Sequence, residues 1–436
     1  MHLERPIQRI SKLLILALVL PAGCIISSYS TISGPSPGFR AEASREEDFP
    51  LDLRPDDALI VASSYGDIDI QADDTTKPHV LVSLRAYART EEDAQALLDQ
   101  YHLRTERTAR GVRLVLDGTP RKYRTAFGVT RIRPQVHFEA VVPAKSKLDV
   151  SLRSGRIQAS GPFGSSDLST RYGSIDLTDV AGDVSVRTRS GSIALRRAHG
   201  DTVDVQTGHG AIRLAEIDAG YVRAETYSGR VTLEDIDSKR LMVTTSYGPL
   251  SMTRVSAQVT ARTSSGSMTL TDVRRGPVDL RSGYGQIEVR KGAGELTAHT
   301  ASGNVRVEDF DGRVDAETSY GSMALDGVFS SLTTVSHSGA IRVTAAEGSK
   351  PTSPWSLRSG NGGLELTVPA DFDCRLQAQT GFGSIDVDVP MQLERTRTSG
   401  RNELSGVLGK GGPAVSLETA SGSIRLGQLA KAKPGA

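Results

Sequence analysis

Aliphatic and polar residues alternate in short segments over most of the chain, from about residue 58 to residue 426. Residues 184–186 and 231–233 are examples, with Val or Leu at every second position. A period of two is typical of strands that bury one face. The pattern therefore predicts many short β-strands, none of which could bury its apolar face alone.

A glycine that follows Ser, Tyr or His marks an internal repeat of 18 or 19 residues. An aliphatic residue stands two positions after most of these glycines, so each glycine is expected to sit at a bend and open a new strand. The predicted bend glycines are Gly155, Gly173, Gly191, Gly210, Gly229, Gly248, Gly266, Gly285, Gly303, Gly321 and Gly339.

The length of the repeat selects the architecture. A unit of this size traces roughly 60 Å of extended chain, enough for one flattened circuit but too little for a domain. Units stacked about 4.8 Å apart would pair their backbones and align their aliphatic residues. A propeller blade needs about twice this period. The predicted fold class is therefore all-β, a parallel β-solenoid or β-helix.

The residue before each glycine alternates between serine and a ring, as in Ser228, Tyr247 and Ser265. Two arrangements are compatible with this alternation. In a coil of about 18 residues the rings lie between small serines, whereas in a coil of about 37 residues tyrosines stack on one edge and serines on the other. The residue shares the parity of the inward aliphatics, so we expect it inside or at the bend; the alternative is an aromatic platform for sugars. The sequence also leaves the handedness of the coil open.

A charged residue recurs at the corner that follows the second strand of each unit. Carboxylates at such corners can line a calcium ladder, but basic residues interrupt the series and the calcium-binding nonapeptide is absent. We therefore expect a structural corner. The residues are Asp179, Arg197, Glu216, Asp235, Arg254, Asp272, Lys291 and Asp309.

The ends of the stack need caps, because an open end exposes core and unpaired backbone. Residues 49–150 are predicted as a small α+β N-terminal cap, with a capping-box helix that begins near Thr90 and ends near His102. Residues 151–345 form the regular solenoid. The period changes over residues 346–430, which are predicted as irregular repeats that close the stack.

The first 24 residues have the charged, apolar and small-residue order of a secretory signal. Residues 20–24, Leu-Pro-Ala-Gly-Cys, resemble a bacterial lipobox. That resemblance implies lipidation of Cys24 with a membrane anchor, and Ile25 after the cysteine implies the outer membrane. The alternative is an ordinary secreted protein. Residues 25–48, rich in Ser, Gly and Pro, are predicted as a flexible tether.

Composition excludes several classes of protein. Hydrophobic residues make up 38% and aromatic residues 5%, with 44 glycines, which disfavours a thick α/β core. The 52 basic and 51 acidic residues nearly cancel, so nucleic acid is not an expected partner. The chain has two cysteines, Cys24 and Cys374. Cys374 lies on the apolar side of a predicted strand, which predicts a buried and inert thiol.

The sequence contains few residues in patterns that are typical of catalytic or metal-binding sites. The eight histidines form no zinc-binding motif, and His209 occupies a repeat position otherwise taken by tyrosine, which indicates a packing residue. The Gly-x-Ser-x-Gly match at residues 34–38 contains two prolines and lies in the predicted tether, outside a strand-to-helix turn. We predict no catalytic residue, no metal site and no cofactor.

Three segments together resemble a known family. They are Ser-Tyr-Gly-Asp-Ile at residues 64–68, the Val-Pro passage at residues 142–143, and the closing segments at residues 411–415 and 419–424. In this order they resemble the bacterial putative-adhesin family of β-strand-repeat envelope proteins, a domain of unknown function. The resemblance implies a β-solenoid at the cell envelope and carries over no catalytic residue.

Two classes of function follow. The first is a non-enzymatic envelope lipoprotein whose solenoid surface serves adhesion, or binds a glycan, an envelope polymer or a partner protein. Its outward arginines could meet carboxylate or phosphate groups. The alternative is a polysaccharide lyase or hydrolase, by analogy with other parallel β-helices. The candidate binding arginines are Arg187, Arg189, Arg213, Arg223 and Arg306.

Overall fold

The computed structural model describes residues 28–32, 34–36, 38–125, 128–397 and 402–429. It is a nearly all-β molecule with 73% strand and one helix, built as a parallel β-solenoid of about 12 turns with roughly 19-residue spacing. The predicted fold class is confirmed. Within these residues, no helix has the length and apolar character needed to cross a membrane.

The N-terminal region precedes the regular coils. Its elements are β1 Ser28–Ile32, β2 Ala41–Pro50, β3 Ala58–Ser63, β4 Asp67–Ala72, β5 His79–Ala88, α1 Glu91–Leu98, β6 His102–Thr108, β7 Gly111–Asp117, β8 Arg121–Thr125, β9 Gly128–Ile132 and β10 Gln135–Val142.

The regular coils follow, with one or two strands in each coil. Their strands are β11 Lys147–Ser154, β12 Ile157–Phe163, β13 Ser166–Tyr172, β14 Ile175–Ala181, β15 Val184–Ser190, β16 Ile193–His209, β17 Ile212–Ser228, β18 Val231–Tyr247, β19 Leu250–Ser265, β20 Met268–Arg274, β21 Val278–Tyr284, β22 Ile287–Ser302, β23 Val305–Tyr320, β24 Met323–Ser338 and β25 Ile341–Ala345.

The C-terminal region completes the stack. Its strands are β26 Trp355–Asn361, β27 Leu364–Val368, β28 Cys374–Phe382, β29 Ile385–Val387, β30 Met391–Arg397, β31 Asn402–Leu408, β32 Ala414–Ser421 and β33 Ile424–Gln428.

One repeat makes one coil. Strands β16 and β17 pair in parallel along their whole length, with Ile193 beside Ile212 and Val203 beside Val222. These partners are one repeat apart, so the coil has 18 or 19 residues and the 37-residue alternative is wrong. Serines and rings therefore alternate along the same edge, as the pairing of Ser228 with Tyr247 shows.

The interior of each coil is filled from both of its sides. Val203 and Val205 point inward before the bend, and Ile212 and Leu214 point inward after it, all at most 1% exposed. Equivalent aliphatic residues of the next coil lie directly above them. Burial of these stacked side chains supplies the hydrophobic stabilisation that a single coil lacks.

The bend glycines have no room for a side chain. A Cβ added at any of the eleven predicted positions would lie 1.9–2.2 Å from the carbonyl oxygen of the bend glycine one coil earlier. Real Cβ atoms do not approach an oxygen so closely, so the backbones of successive coils could not stack here with any other residue. This close approach explains the constancy of the glycine period.

Most bends are stabilised by the hydroxyl of a buried Thr or Ser that lies two residues before the Ser, Tyr or His at the bend. This feature was not predicted from the sequence. Thr318 is fully buried, and its hydroxyl donates a 3.0 Å hydrogen bond to the carbonyl oxygen of Gly303. Thr300 and Thr207 make the same bond to Gly285 and Gly191. Each bond satisfies a carbonyl group that the tight bend removes from the ladder. Threonine or serine at this position of ten of the eleven predicted units was the available signal.

The charged corner residues adopt left-handed backbone. All eight predicted corner positions have φ between 53° and 62°. The pairing moves from Thr178 beside Arg196 to Val180 beside Ala198, so Asp179 and Arg197 form a bulge that turns the chain. Asp179 accepts hydrogen bonds from the Arg197 guanidinium, which holds the pKa of this carboxyl below its usual value.

The N-terminal cap surrounds an early coil. Strands β3 and β4 pair on one side with β11 and β12, and on the other side with β7 and β10. The predicted helix is present as α1, with the Thr90 hydroxyl accepting from the Asp93 amide at 3.1 Å. It ends at Leu98 rather than near His102, because His102 begins strand β6 and pairs with Asp117.

The predicted flexible tether over residues 25–48 is wrong for residues 41–48. These residues belong to β2, which pairs antiparallel with β5 from Ala41 to Pro50. Burial alternates along β2, and Ala43 and Phe49 pack against the core. Without β2, the outer edge of β5 would be unpaired. Strand β2 was not predicted because its few apolar residues alternate with charged ones. Residues 28–32 form β1, which pairs with β9.

The last coil of the chain does not lie at the end of the stack. Strands β32 and β33 pair with β26 and β27 on one side and with β28 and β29 on the other. The outer edge of β28 is covered by the antiparallel strands β31 and β30. Cys374 begins β28 and is 1% exposed, and burial raises the pKa of its thiol to about 12.

Candidate binding surface

The edge beside the bend glycines displays a row of rings. Tyr172, Tyr247, Tyr284 and Tyr320 are 51%, 54%, 71% and 68% exposed, and Phe382 at the far end is 80% exposed. Of the two predicted locations, inside or at the bend, the structure selects the bend. The chain reverses there, so no opposite strand covers the side chain. His209 shares this exposed edge and is therefore not a core packing residue.

The rings occur on every second coil. Tyr247 lies between Ser228 and Ser265, and Tyr320 lies between Ser302 and Ser338. Because adjacent strands are about 4.8 Å apart, rings on alternate coils recur roughly every 9.6 Å along the edge. The small serines between them do not cover the rings of Tyr247 and Tyr320, each of which is more than half exposed.

Three rings form a cluster near the middle of this edge. Tyr227 is 53% exposed and lies one residue inward from the edge. Its ring contacts His209 at a centroid distance of 5.7 Å and Tyr247 at 5.4 Å, both edge to face. Such contacts hold the rings in defined orientations while they stay exposed.

The five predicted binding arginines do not form one surface. Arg187, Arg189 and Arg223 lie on the strands before the bend, whereas Arg213 and Arg306 lie on the strands after it. Three of the five are engaged by carboxylates. Arg187 donates to Asp204 at 2.9 Å, Arg306 donates to Glu308 at 2.6 Å, and Arg223 donates to Glu225.

Arg153 and Arg171 were missed, and they align with Arg189. Leu152 and Ser154 pair with Thr170 and Tyr172, which places Arg153 beside Arg171. The next coil continues this register, so Arg189 follows in the same row. All three side chains are exposed. The signal was the segment Arg-Ser-Gly or Arg-Tyr-Gly in three successive units.

A shallow groove connects the arginine row to the ring cluster. It has a volume of about 630 Å³. Arg171 and Arg189 line one end, Gly208 lies in the middle, and Tyr227 lines the coil beyond it. Glu225 also lines the groove, with its carboxylate paired to a neighbouring arginine. Since Gly208 has no side chain, the groove remains open between the charged and aromatic parts.

The described residues offer no metal centre and little acid–base chemistry. No group of three or more His, Cys, Asp or Glu side chains in this part of the chain could hold a metal ion. Partial desolvation raises the pKa of Asp326, and the nearby charges of Asp309 and Glu308 add to this shift. The residue as a whole is nevertheless exposed, at a corner of the coil. A raised pKa outside a cleft does not make a catalytic acid.

A family comparison identifies the class of protein. The family model described as Toastrack DUF4097 matches residues 101–291 and again residues 250–427. The two matches together extend over more than half of the chain. This chain belongs to the Toastrack DUF4097 family. The resemblance to β-strand-repeat proteins noted from the sequence is confirmed.

Two solved structures that match this chain at low similarity bear the name putative adhesin. One, from Bacteroides fragilis, has 11% identity and a TM-score of 0.28, over 62% of this chain and 96% of its own. Another, from Parabacteroides distasonis, has 11% identity and a TM-score of 0.21, over 78% of this chain and 100% of its own. Among curated proteins, no relative matches this Toastrack chain.

Proposed function

We propose that this Toastrack protein is a non-enzymatic adhesin of the cell envelope that binds a glycan polymer along the edge of its solenoid. The observation that carries the proposal is the row of exposed rings on every second coil. Tyrosine presents a flat apolar face and a polar hydroxyl, which suits contact with sugars. Soluble proteins seldom expose a regular line of large rings unless it serves binding.

The repeated edge suits a polymer better than a small molecule. Rings at roughly 9.6 Å intervals offer several equivalent contacts to a chain that extends along the stack. Individually weak contacts sum to useful affinity because each bound segment raises the effective concentration of the next. The groove and the edge are open, which leaves room for the polymer to continue in both directions.

Replacement of three edge tyrosines should abolish most polymer binding. The variant Tyr247→Ala, Tyr284→Ala and Tyr320→Ala removes exposed rings without touching the interior. We expect a loss of at least about tenfold in affinity, since each stacked ring contributes on the order of 1 kcal/mol. The full-length chain, purified in mild detergent, would be titrated against immobilised polysaccharides.

The matched control replaces three serines of the same edge. The variant Ser228→Ala, Ser265→Ala and Ser302→Ala lies between the tyrosines and should bind nearly as well as the natural chain. Equal binding by the tyrosine and serine variants would contradict the proposal. Release of shortened products from any bound polysaccharide would favour the lyase or hydrolase alternative instead.

The proposed anchor is a lipid on Cys24, which lies outside the described residues. Its support is the charged, apolar and Ala-Gly-Cys order of residues 1–24. An N-terminal anchor would hold the molecule at the envelope, and Ile25 favours the outer membrane as its location.

Cys24→Ser should release the protein from the membrane fraction. Serine has no thiol to accept the lipid, so the precursor should also stay uncleaved. Fractionation and the electrophoretic mobility of both forms would measure this. Normal processing with full membrane retention of the variant would show that Cys24 is not the anchor.

A further inference from the structure

Three exposed arginines on successive coils form no ion pair with the described part of the chain. Arg153, Arg171 and Arg189 stand in one row at intervals of roughly 4.8 Å, the spacing of paired strands. Within the described residues, none of the three has a carboxylate oxygen within 4.0 Å. Like charges stacked directly across strands repel each other, so this row costs the free protein stability.

Other arginines on the stacked strands form ion pairs with carboxylates. Arg197 pairs with Asp179 one coil earlier, and Arg254 pairs with Asp235 in the same way. Arg187, on the strand of Arg189, pairs with Asp204. In these three cases a carboxylate on an adjacent coil neutralises the arginine, and the row of three lacks such a carboxylate among the described residues.

The surroundings of the row define the kind of anion. The groove leads from Arg171 and Arg189 across Gly208 to the ring of Tyr227. From Arg153 to Tyr227 the surface spans four coil steps, or roughly 19 Å. A single small anion would fill only one end. A chain with repeated negative groups and flat apolar rings could contact both ends together.

We propose that this groove and the arginine row that leads into it bind a linear acidic polysaccharide, with its carboxylates on Arg153, Arg171 and Arg189 and a sugar ring against Tyr227. Guanidinium groups bind carboxylates with two parallel hydrogen bonds, which the unpaired row offers on three coils. The inference rests on the proposed glycan-binding function and names the charge class of its ligand. Bound carboxylates would also relieve the repulsion within the row.

The test compares two triple variants of the full-length protein. Arg153→Gln, Arg171→Gln and Arg189→Gln removes the row. Its control is Arg196→Gln, Arg240→Gln and Arg313→Gln. These three are exposed, lie outside the groove and form no ion pair with a carboxylate of the described residues, and the control removes the same total charge. Calorimetric titrations would use polygalacturonate fragments, cello-oligosaccharides of the same length and inorganic polyphosphate.

We expect polygalacturonate to bind and to weaken as salt is raised. The first triple variant should lose at least about tenfold in affinity, as expected when charged hydrogen bonds are removed. The control should change by less than about twofold. Tyr227→Ala should weaken polygalacturonate but leave polyphosphate unaffected. Thermal unfolding should show the first variant to be at least as stable as the natural chain, since it loses only repulsion.

Four results would overturn the inference. Equal losses in both triple variants would indicate attraction by overall charge alone. Polyphosphate binding as tight as polygalacturonate, with Tyr227→Ala silent, would indicate an anion site without sugar recognition. Equal binding of cello-oligosaccharides, with the first variant silent, would reject the acidic ligand while the proposed glycan function stands. Absence of binding to every saccharide would reject both.

Discussion

Gly285→Val is expected to unfold the middle of the solenoid. A Cβ at this position would lie 2.1 Å from the carbonyl oxygen and 2.6 Å from the carbonyl carbon of Gly266. The backbone cannot retreat, because the Gly285 amide donates a 3.0 Å hydrogen bond to Ser302 of the next coil. Separation of two coils also breaks the aliphatic stacking beneath them. We expect a loss of about 3 kcal/mol or more, at the upper end for overpacked sites.

The neighbouring position provides the control for this loss. Gln286 is exposed and lies between β21 and β22, so Gln286→Thr places an exposed β-branched residue beside the bend. Urea unfolding followed by far-ultraviolet circular dichroism would compare both variants with the natural chain. Similar midpoints for the two variants would mean that the close approach between bend glycines does not hold the stack.

A disulfide between positions 358 and 418 should form completely, although the residues are far apart in the chain. Arg358 and Glu418 are register partners on β26 and β32, and they form a 3.2 Å ion pair. Paired strands place their backbones about 4.8 Å apart, within the range that a disulfide spans. The variant Arg358→Cys with Glu418→Cys should therefore cross-link on mild oxidation, as electrophoresis without reductant would show.

The control pair tests the order of the coils directly. Gln379 is the partner of Glu418 on the other side, so two coil steps separate it from Arg358. Arg358→Cys with Gln379→Cys spans roughly 9.6 Å and should stay reduced. Buried Cys374, with its raised pKa, should not compete. Cross-linking of this second pair, and not of the first, would show that coils stack in chain order.

Features that repeat within one coil could be read from the sequence. The glycine period predicted the solenoid because each coil must bring a glycine past the carbonyl group of the glycine before it. The capping box at Thr90 predicted a helix start because the bond from Asp93 is local. The unpaired arginine row was also readable, since Arg-Ser-Gly and Arg-Tyr-Gly recur in equivalent positions of three units.

Features that depend on what lies across the fold could not be read in this way. The alternation of inward and outward side chains leaves open whether another strand covers a side chain at a bend. Only the stacked coils show that Tyr284 and Tyr320 are exposed. Strand β2 forms because a distant edge on β5 needs a partner, which its own residues do not reveal. The last coil enters the stack before β28 and β29 through pairings that chain order does not encode. The sequence alone therefore determined the coil, because the steric demand for glycine recurs in every repeat. The ends of the stack and the exposed surface were decided by strand pairing between distant segments.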